Sequence, residues 1–204
     1  MSEEKAKKPL YKKWWVWVLA IVVIAGIGSQ GGEDSPEEVA KLAEDPVMLS
    51  RPDQQKNFVA IVSNAIKASK NAENDMQKGG FLNKRGTEIC NLLKTRAVKD
   101  WTGWIKSIDT NSDGKGVLEV KLARNIHVET WNNALSDVMS NTLIAPGSQL
   151  FNAVSAMKSG DGVKFSGTFI KDATHCIEEQ SLSLSGKVGD PEFTFRFSSV
   201  SLIK

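Results

Sequence analysis

The sequence predicts an α+β protein with one N-terminal transmembrane helix, a helical segment, and then a small β-barrel. Three observations carry that prediction. Residues 14–28 form the only uncharged apolar run in the chain. Apolar residues between Gln54 and Met76 recur at helical spacing, and from about Ala97 the period shortens to two. The implied division is a basic tail over 1–13, an anchor over 14–32, a helical region over 33–96 and a β domain over 97–204.

The run Trp14–Gly28 carries no charge, and its fifteen residues would rise about 22 Å as a helix, short of a hydrocarbon core of roughly 30 Å. The uncharged Ser29-Gln30-Gly31-Gly32 lengthens it to 19 residues. Lys12 and Lys13 can snorkel from the other end. Trp14, Trp15 and Trp17 stand where an interfacial aromatic belt is expected. Lys5, Lys7, Lys8, Lys12 and Lys13 precede the run, whereas Glu33 and Asp34 are the first charges after it. By the positive-inside rule the N-terminus is expected in the cytoplasm and residues 33–204 outside it. A cleaved signal peptide is the competing reading, with Gly26-Ile27-Gly28 as a weak cleavage site. Bulky tryptophans suit an interface better, and no cysteine follows the run to accept a lipid.

Charge is informative once divided. Removing the five lysines and two glutamates of residues 1–29 from 26 basic and 24 acidic residues leaves 21 and 22, a net charge of −1. A near-neutral domain lacks the basic footprint of phosphate binding, which argues against nucleic acid as a partner. The two cysteines, Cys90 and Cys176, form an even pair, and in an oxidising compartment such a pair is readily a disulfide. Two buried free thiols are the alternative.

Ser35-Pro36-Glu37-Glu38 reads as a helix start, and the brief helix is expected to end near Asp45-Pro46. A longer helix follows Arg51-Pro52-Asp53, with Phe58, Ile61, Val62, Ala65, Ile66, Ala72 and Met76 on one face and Gly79-Gly80 as its stop. A third is expected from Lys84 to Arg96. Strands are expected over 98–108, 117–122 and 126–131, with a turn at Asp109–Gly114. A polar, helix-compatible stretch from Asn132 to Lys158 is broken by Ala145-Pro146-Gly147. Val163, Phe165, Gly167 and Phe169 mark a fourth strand, 179–185 a short one, and Phe193, Phe195 and Phe197 the last.

Three strands, a helical insertion, then two or three strands is the order of the OB-fold, a small Greek-key barrel. The run Gly160–Phe169 is similar to the fourth strand of OB-like domains. With Lys12-Lys13-Trp14-Trp15, Trp131–Asp137 and Pro191–Val200, the chain resembles uncharacterised bacterial membrane-anchored envelope proteins with an OB-fold-like C-terminal domain. That resemblance implies architecture only, an inner-membrane anchor followed by a periplasmic β domain; the partners expected for such a chain are the lipid bilayer and an envelope protein or polymer. It implies no catalytic residues and no cofactor.

Asp109-x-Asn111-x-Asp113-Gly114 matches the first positions of a calcium loop, where alternate oxygens surround the ion. The match then fails, with Gly116 at position 8 and Val120 at position 12 where a bidentate glutamate belongs. A β-hairpin turn is the expected identity. His127, His175, Cys90 and Cys176 show none of the paired spacing of a zinc site. No G-x-S-x-G, P-loop or G-x-G-x-x-G occurs. Glu178-Glu179 and Asp190/Glu192 read as solvated edges and turns, because neighbours on a strand point to opposite faces. The alternating aromatics read as core, and Trp131, followed by Asn132-Asn133, is the aromatic expected to face a ligand.

These features predict a single-pass, extracytoplasmic binding or scaffold module without catalysis. An OB-type nucleic-acid binder facing the cytoplasm is the alternative, and an envelope-polymer hydrolase a distant third.

Overall fold

The computed structural model describes residues 45–203. Lys12, Lys13, Trp14, Trp15, Trp17 and the expected span over 14–32 lie outside the described residues. Among the described residues no helix is long and apolar enough to cross a membrane.

The fold is mixed α+β, with six helices and a five-stranded sheet among the described residues. Helix α1 (Pro46–Leu49) begins where the sequence suggested an end. Asp45 caps it by accepting a hydrogen bond from the Val47 N–H at 2.8 Å, and Pro46 sits in the first turn, where its missing N–H costs nothing. Helix α2 (Asp53–Lys70) buries Gln55, Phe58, Val62, Ile66 and Ser69, a single stripe at spacings of three and four.

Helix α3 (Asp75–Leu92) corrects two expectations. The break lies at 71–74, where the Asn74 side chain accepts from the Gln77 N–H at 3.1 Å. Gly79 and Gly80 therefore lie inside a helix and do not end one. Their Cβ positions face open space, so no neighbouring residue requires glycine there.

Strands β1 (Ala97–Thr110), β2 (Gly116–Ala123) and β3 (Ile126–Glu129) follow as a meander. Helices α4 (Ala134–Asp137) and α5 (Gln149–Ser155) fill the polar stretch, on either side of Ala145-Pro146-Gly147. Strand β4 (Gly162–Phe169) comes next, then the two-residue strands β5 (Lys171–Asp172) and β6 (Cys176–Ile177), which pair with each other. The strand expected at 179–185 is replaced by a bridge from Glu179 to Phe193 and by helix α6 (Leu184–Gly189), capped by Ser183. Strand β7 (Glu192–Leu202) is last.

The barrel-like sheet has the order β1-β2-β3-β7-β4, and β4 pairs in turn with β1. All contacts are antiparallel except β3 with β7. Strand β1 changes neighbours along its length. Its first half, Ala97 to Trp104, pairs with β4, and Trp104 to Thr110 pairs with β2. A bulge at Asp100, held at φ 55°, bends it between Val98 and Trp101.

Where β1 and β2 diverge, the helical segment supplies the missing partners. Gln55 accepts from the Thr102 N–H at 2.8 Å and donates to the Thr102 carbonyl. Arg51 donates to the Leu122 carbonyl, and the Thr102 hydroxyl donates to the Val47 carbonyl at 2.7 Å. Buried backbone groups are thereby satisfied by side chains from another layer.

Helices and strands share one core. The Phe58 ring stands 5.2 Å from Trp101 and 5.3 Å from both Phe169 and Phe193, centroid to centroid. Phe165, Phe195 and Phe197 continue the cluster edge to face. The alternating aromatics of β4 and β7 are therefore core, as their period implies. Gly167 is demanded by that packing: a Cβ there would lie 2.2 Å from the Arg196 carbonyl oxygen.

Cys90 and Cys176 form a disulfide that ties α3 to the β5–β6 hairpin, with their Cα atoms 5.5 Å apart. Close beside it, the helix backbone approaches the hairpin at Gly86, where a Cβ would meet the His175 backbone at 3.0 Å.

Candidate functional site

Alternation along β2 sends Leu118, Val120 and Leu122 into the core and leaves Glu119 on the outer wall. Antiparallel pairing with β3 sets Glu119 directly opposite Glu129. The parallel pairing of β3 with β7 then sets Glu129 beside Thr194 and His127 beside Glu192. Three glutamates from three strands thus converge. One oxygen from each of Glu119, Glu129 and Glu192 lies within 4.8 Å of the others.

The surroundings are only half solvated. Glu119 pairs with Lys106 at 2.7 Å, and the Ser107 hydroxyl lies 3.4 Å from its second oxygen. The His127 ring, 6% exposed, stands with Nδ1 3.2 Å from Glu119 and Nε2 3.4 Å from Asp190. Burial pushes the Glu119 carboxyl up, but His127 and Lys106 outweigh it and hold it below its usual range. For Glu129 the pull of Lys106 is outweighed. Burial first, then the charges of Glu192 and Glu119, push it up to about 8. Neither Glu129 nor Glu192 has a basic side chain at ion-pair distance among the described residues.

No family model and no curated protein matches this chain. What the site does must therefore be argued from its own chemistry.

The residues singled out in the sequence are distributed elsewhere. Asp109 is the penultimate residue of β1, and Asn111 and Asp113 form the β1–β2 turn. Asn111 Oδ1 accepts from the N–H groups of Asp113 and Lys115 at 3.1 and 2.9 Å, and Gly114 takes φ 73°. Its oxygen is engaged in making the turn, as Asn in hairpins commonly is. Beside the turn, an apolar groove of about 390 Å³ runs between the hairpin and α5, lined by Ile108, Gly116, Ile144, Phe151 and Val154.

Trp131 is half-buried, its indole N–H 3.4 Å from the Ser140 hydroxyl. Its loop is organised by the buried Asp137 carboxylate, which accepts from the Thr142 and Leu143 N–H groups. Leu135, Val138 and Met139 in this loop are exposed.

Two readings of carboxylates as solvated need correction. Glu179 is 3% exposed and pairs with Arg85, whose guanidinium also donates to the Lys187 carbonyl at 2.7 Å and covers the Phe193 ring. Glu192 belongs to the outer-wall trio. Sequence reasoning missed Glu119 and Glu129 as site residues. The available signal was their outward position on consecutive strands, but no local pattern specifies that β7 arrives beside them.

Proposed function

We propose that this chain is a non-catalytic binding or scaffold module of the OB-like class, held outside the cytoplasm by a single N-terminal anchor. The observation that carries the reading is the strand order β1-β2-β3-β7-β4, with helices inserted between the third and fourth long strands. OB-like barrels present ligands to the outer face of strands 2 and 3 and to the adjoining loops. In this chain the β2–β3 face carries Glu119, Glu129 and His127, with Glu192 alongside. Such a wall repels phosphates, which favours a protein or polymer of the cell envelope over nucleic acid. The Cys90–Cys176 disulfide supports the exported location, since cytosolic thiols are kept reduced.

Thiol accessibility in intact cells tests the reading, using a membrane-impermeant, mass-shifting maleimide with and without prior reduction. Labelling of two thiols in intact cells only after reduction is the expected result. Labelling without reductant, and only once the membrane is broken, would overturn the location and make an oligonucleotide the ligand to test.

A further inference from the structure

We propose that Glu119, Glu129 and Glu192, with the Thr194 hydroxyl as a fourth donor, bind a calcium ion on the outer wall of β2, β3 and β7. This ion would sit on the wall that the proposed function gives to the ligand, and its binding is read in the absence of that ligand.

Three observations lead there. The first is the geometry of the carboxylates, one oxygen of each within 4.8 Å of the others. Donors at about 2.3–2.6 Å from a calcium ion stand at most about 4.6–5.2 Å apart, whereas around magnesium, at about 2.0–2.1 Å, the limit is near 4.2 Å. That bound admits either ion, and the choice rests on the donors: several protein carboxylates in one cluster favour calcium, which takes a cage of protein oxygens, over magnesium, which keeps several of its waters.

The second observation is independent of the acids. Thr194 is fully buried, and its hydroxyl has no hydrogen-bond partner. Its backbone is the register partner of Glu129, and it shares a strand face with Glu192 two residues before it. A buried hydroxyl normally finds a partner, and this one lies on the sheet face that carries Glu129 and Glu192.

The third is charge. Like charges directly opposite one another in an antiparallel pair are unfavourable, yet Glu119 faces Glu129. Lys106 and His127 come to ion-pair distance of Glu119, whereas Glu129 and Glu192 make no such pair among the described residues. The donors are all oxygens and both cysteines are in the disulfide, which suits a hard ion and not a thiolate metal.

Calorimetric titration of the full-length, chelator-treated protein in detergent micelles tests this. Calcium chloride to about 5 mM should saturate one site per chain, in the affinity range of extracellular modules, with magnesium at least about tenfold weaker. Glu129→Gln and Glu192→Gln should each weaken calcium at least about tenfold, and Thr194→Val several-fold. Circular dichroism of Glu129→Gln without calcium should remain native, because glutamine matches the glutamate side chain in shape and introduces no charge. Asp113→Asn in the hairpin should leave calcium binding unchanged. The inference is overturned by absence of saturable calcium binding, by magnesium binding as tightly as calcium, by folded Glu129→Gln or Glu192→Gln protein binding calcium like the wild type, or by loss of binding in Asp113→Asn.

Discussion

Reducing the Cys90–Cys176 bond releases a loop of 86 residues, and the loss of stability can be worked from that separation. Loop closure in the unfolded chain is worth about 4–5 kcal/mol at this length. Cys176 holds φ 75°, a left-handed conformation that costs a non-glycine residue about 1–2 kcal/mol. Part of that cost is relieved once the link is cut, which leaves a net loss of about 3–4 kcal/mol. Cys90 is exposed on α3, so reductant reaches the bond without unfolding the domain. Urea unfolding followed by circular dichroism, with and without dithiothreitol, reads the effect directly. With a slope of about 2 kcal/mol per molar, the midpoint should fall by about 1.5–2 M on reduction. The double variant Cys90→Ser/Cys176→Ser should unfold like the reduced protein and ignore the reductant. Coincident curves for oxidised and reduced protein would refute the reasoning, because the loop entropy would then be offset by strain.

Folded Glu129 keeps its proton up to about pH 8, whereas the unfolded chain releases it near 4.5, so its contribution to stability is full below 4.5 and is lost as pH rises to 8. Urea midpoints measured in chelator at pH 5, 6.5 and 8.5 should therefore decline, and Glu129→Gln should flatten the decline; an unchanged slope in the variant would contradict the assignment. Gly79→Ala and Gly80→Ala should each raise thermal stability by about 0.5–1 kcal/mol, since no atom lies near either Cβ position, while Gly86→Ala should lower it by about 1–3 kcal/mol against the His175 backbone.

The β portion was legible because its signals are local. Phe193, Phe195 and Phe197 alternate with Thr194, Arg196 and Ser198, and a strand buried on one face writes that period into its own sequence. The α2–α3 boundary was misread because glycine pairs usually stop helices, whereas the operative signal was Asn74 three residues before Gln77. The disulfide was legible from the even cysteine count only when joined to the expected exported location. The acidic site was not, because it depends on the parallel contact of β3 with β7, whose partners Glu129 and Thr194 are joined through α4, α5, β4 and the β5–β6 hairpin. Arg85 and Glu179 hid for the same reason: each looks like a surface residue until α3 and the segment before α6 close over both.

The position of the disulfide also sets how the domain carries mechanical force. A chain pulled at residues 45 and 203 transmits tension from α3 through the sulfur bridge to β6 and on to β7. The 86-residue span between the cysteines contains β1, β2, β3 and β4 and lies outside that covalent path. Those strands feel the load only through their neighbours, and about 300 Å of contour stays locked until the bond is reduced. Reducing conditions thus alter how far this domain stretches as well as how stable it is.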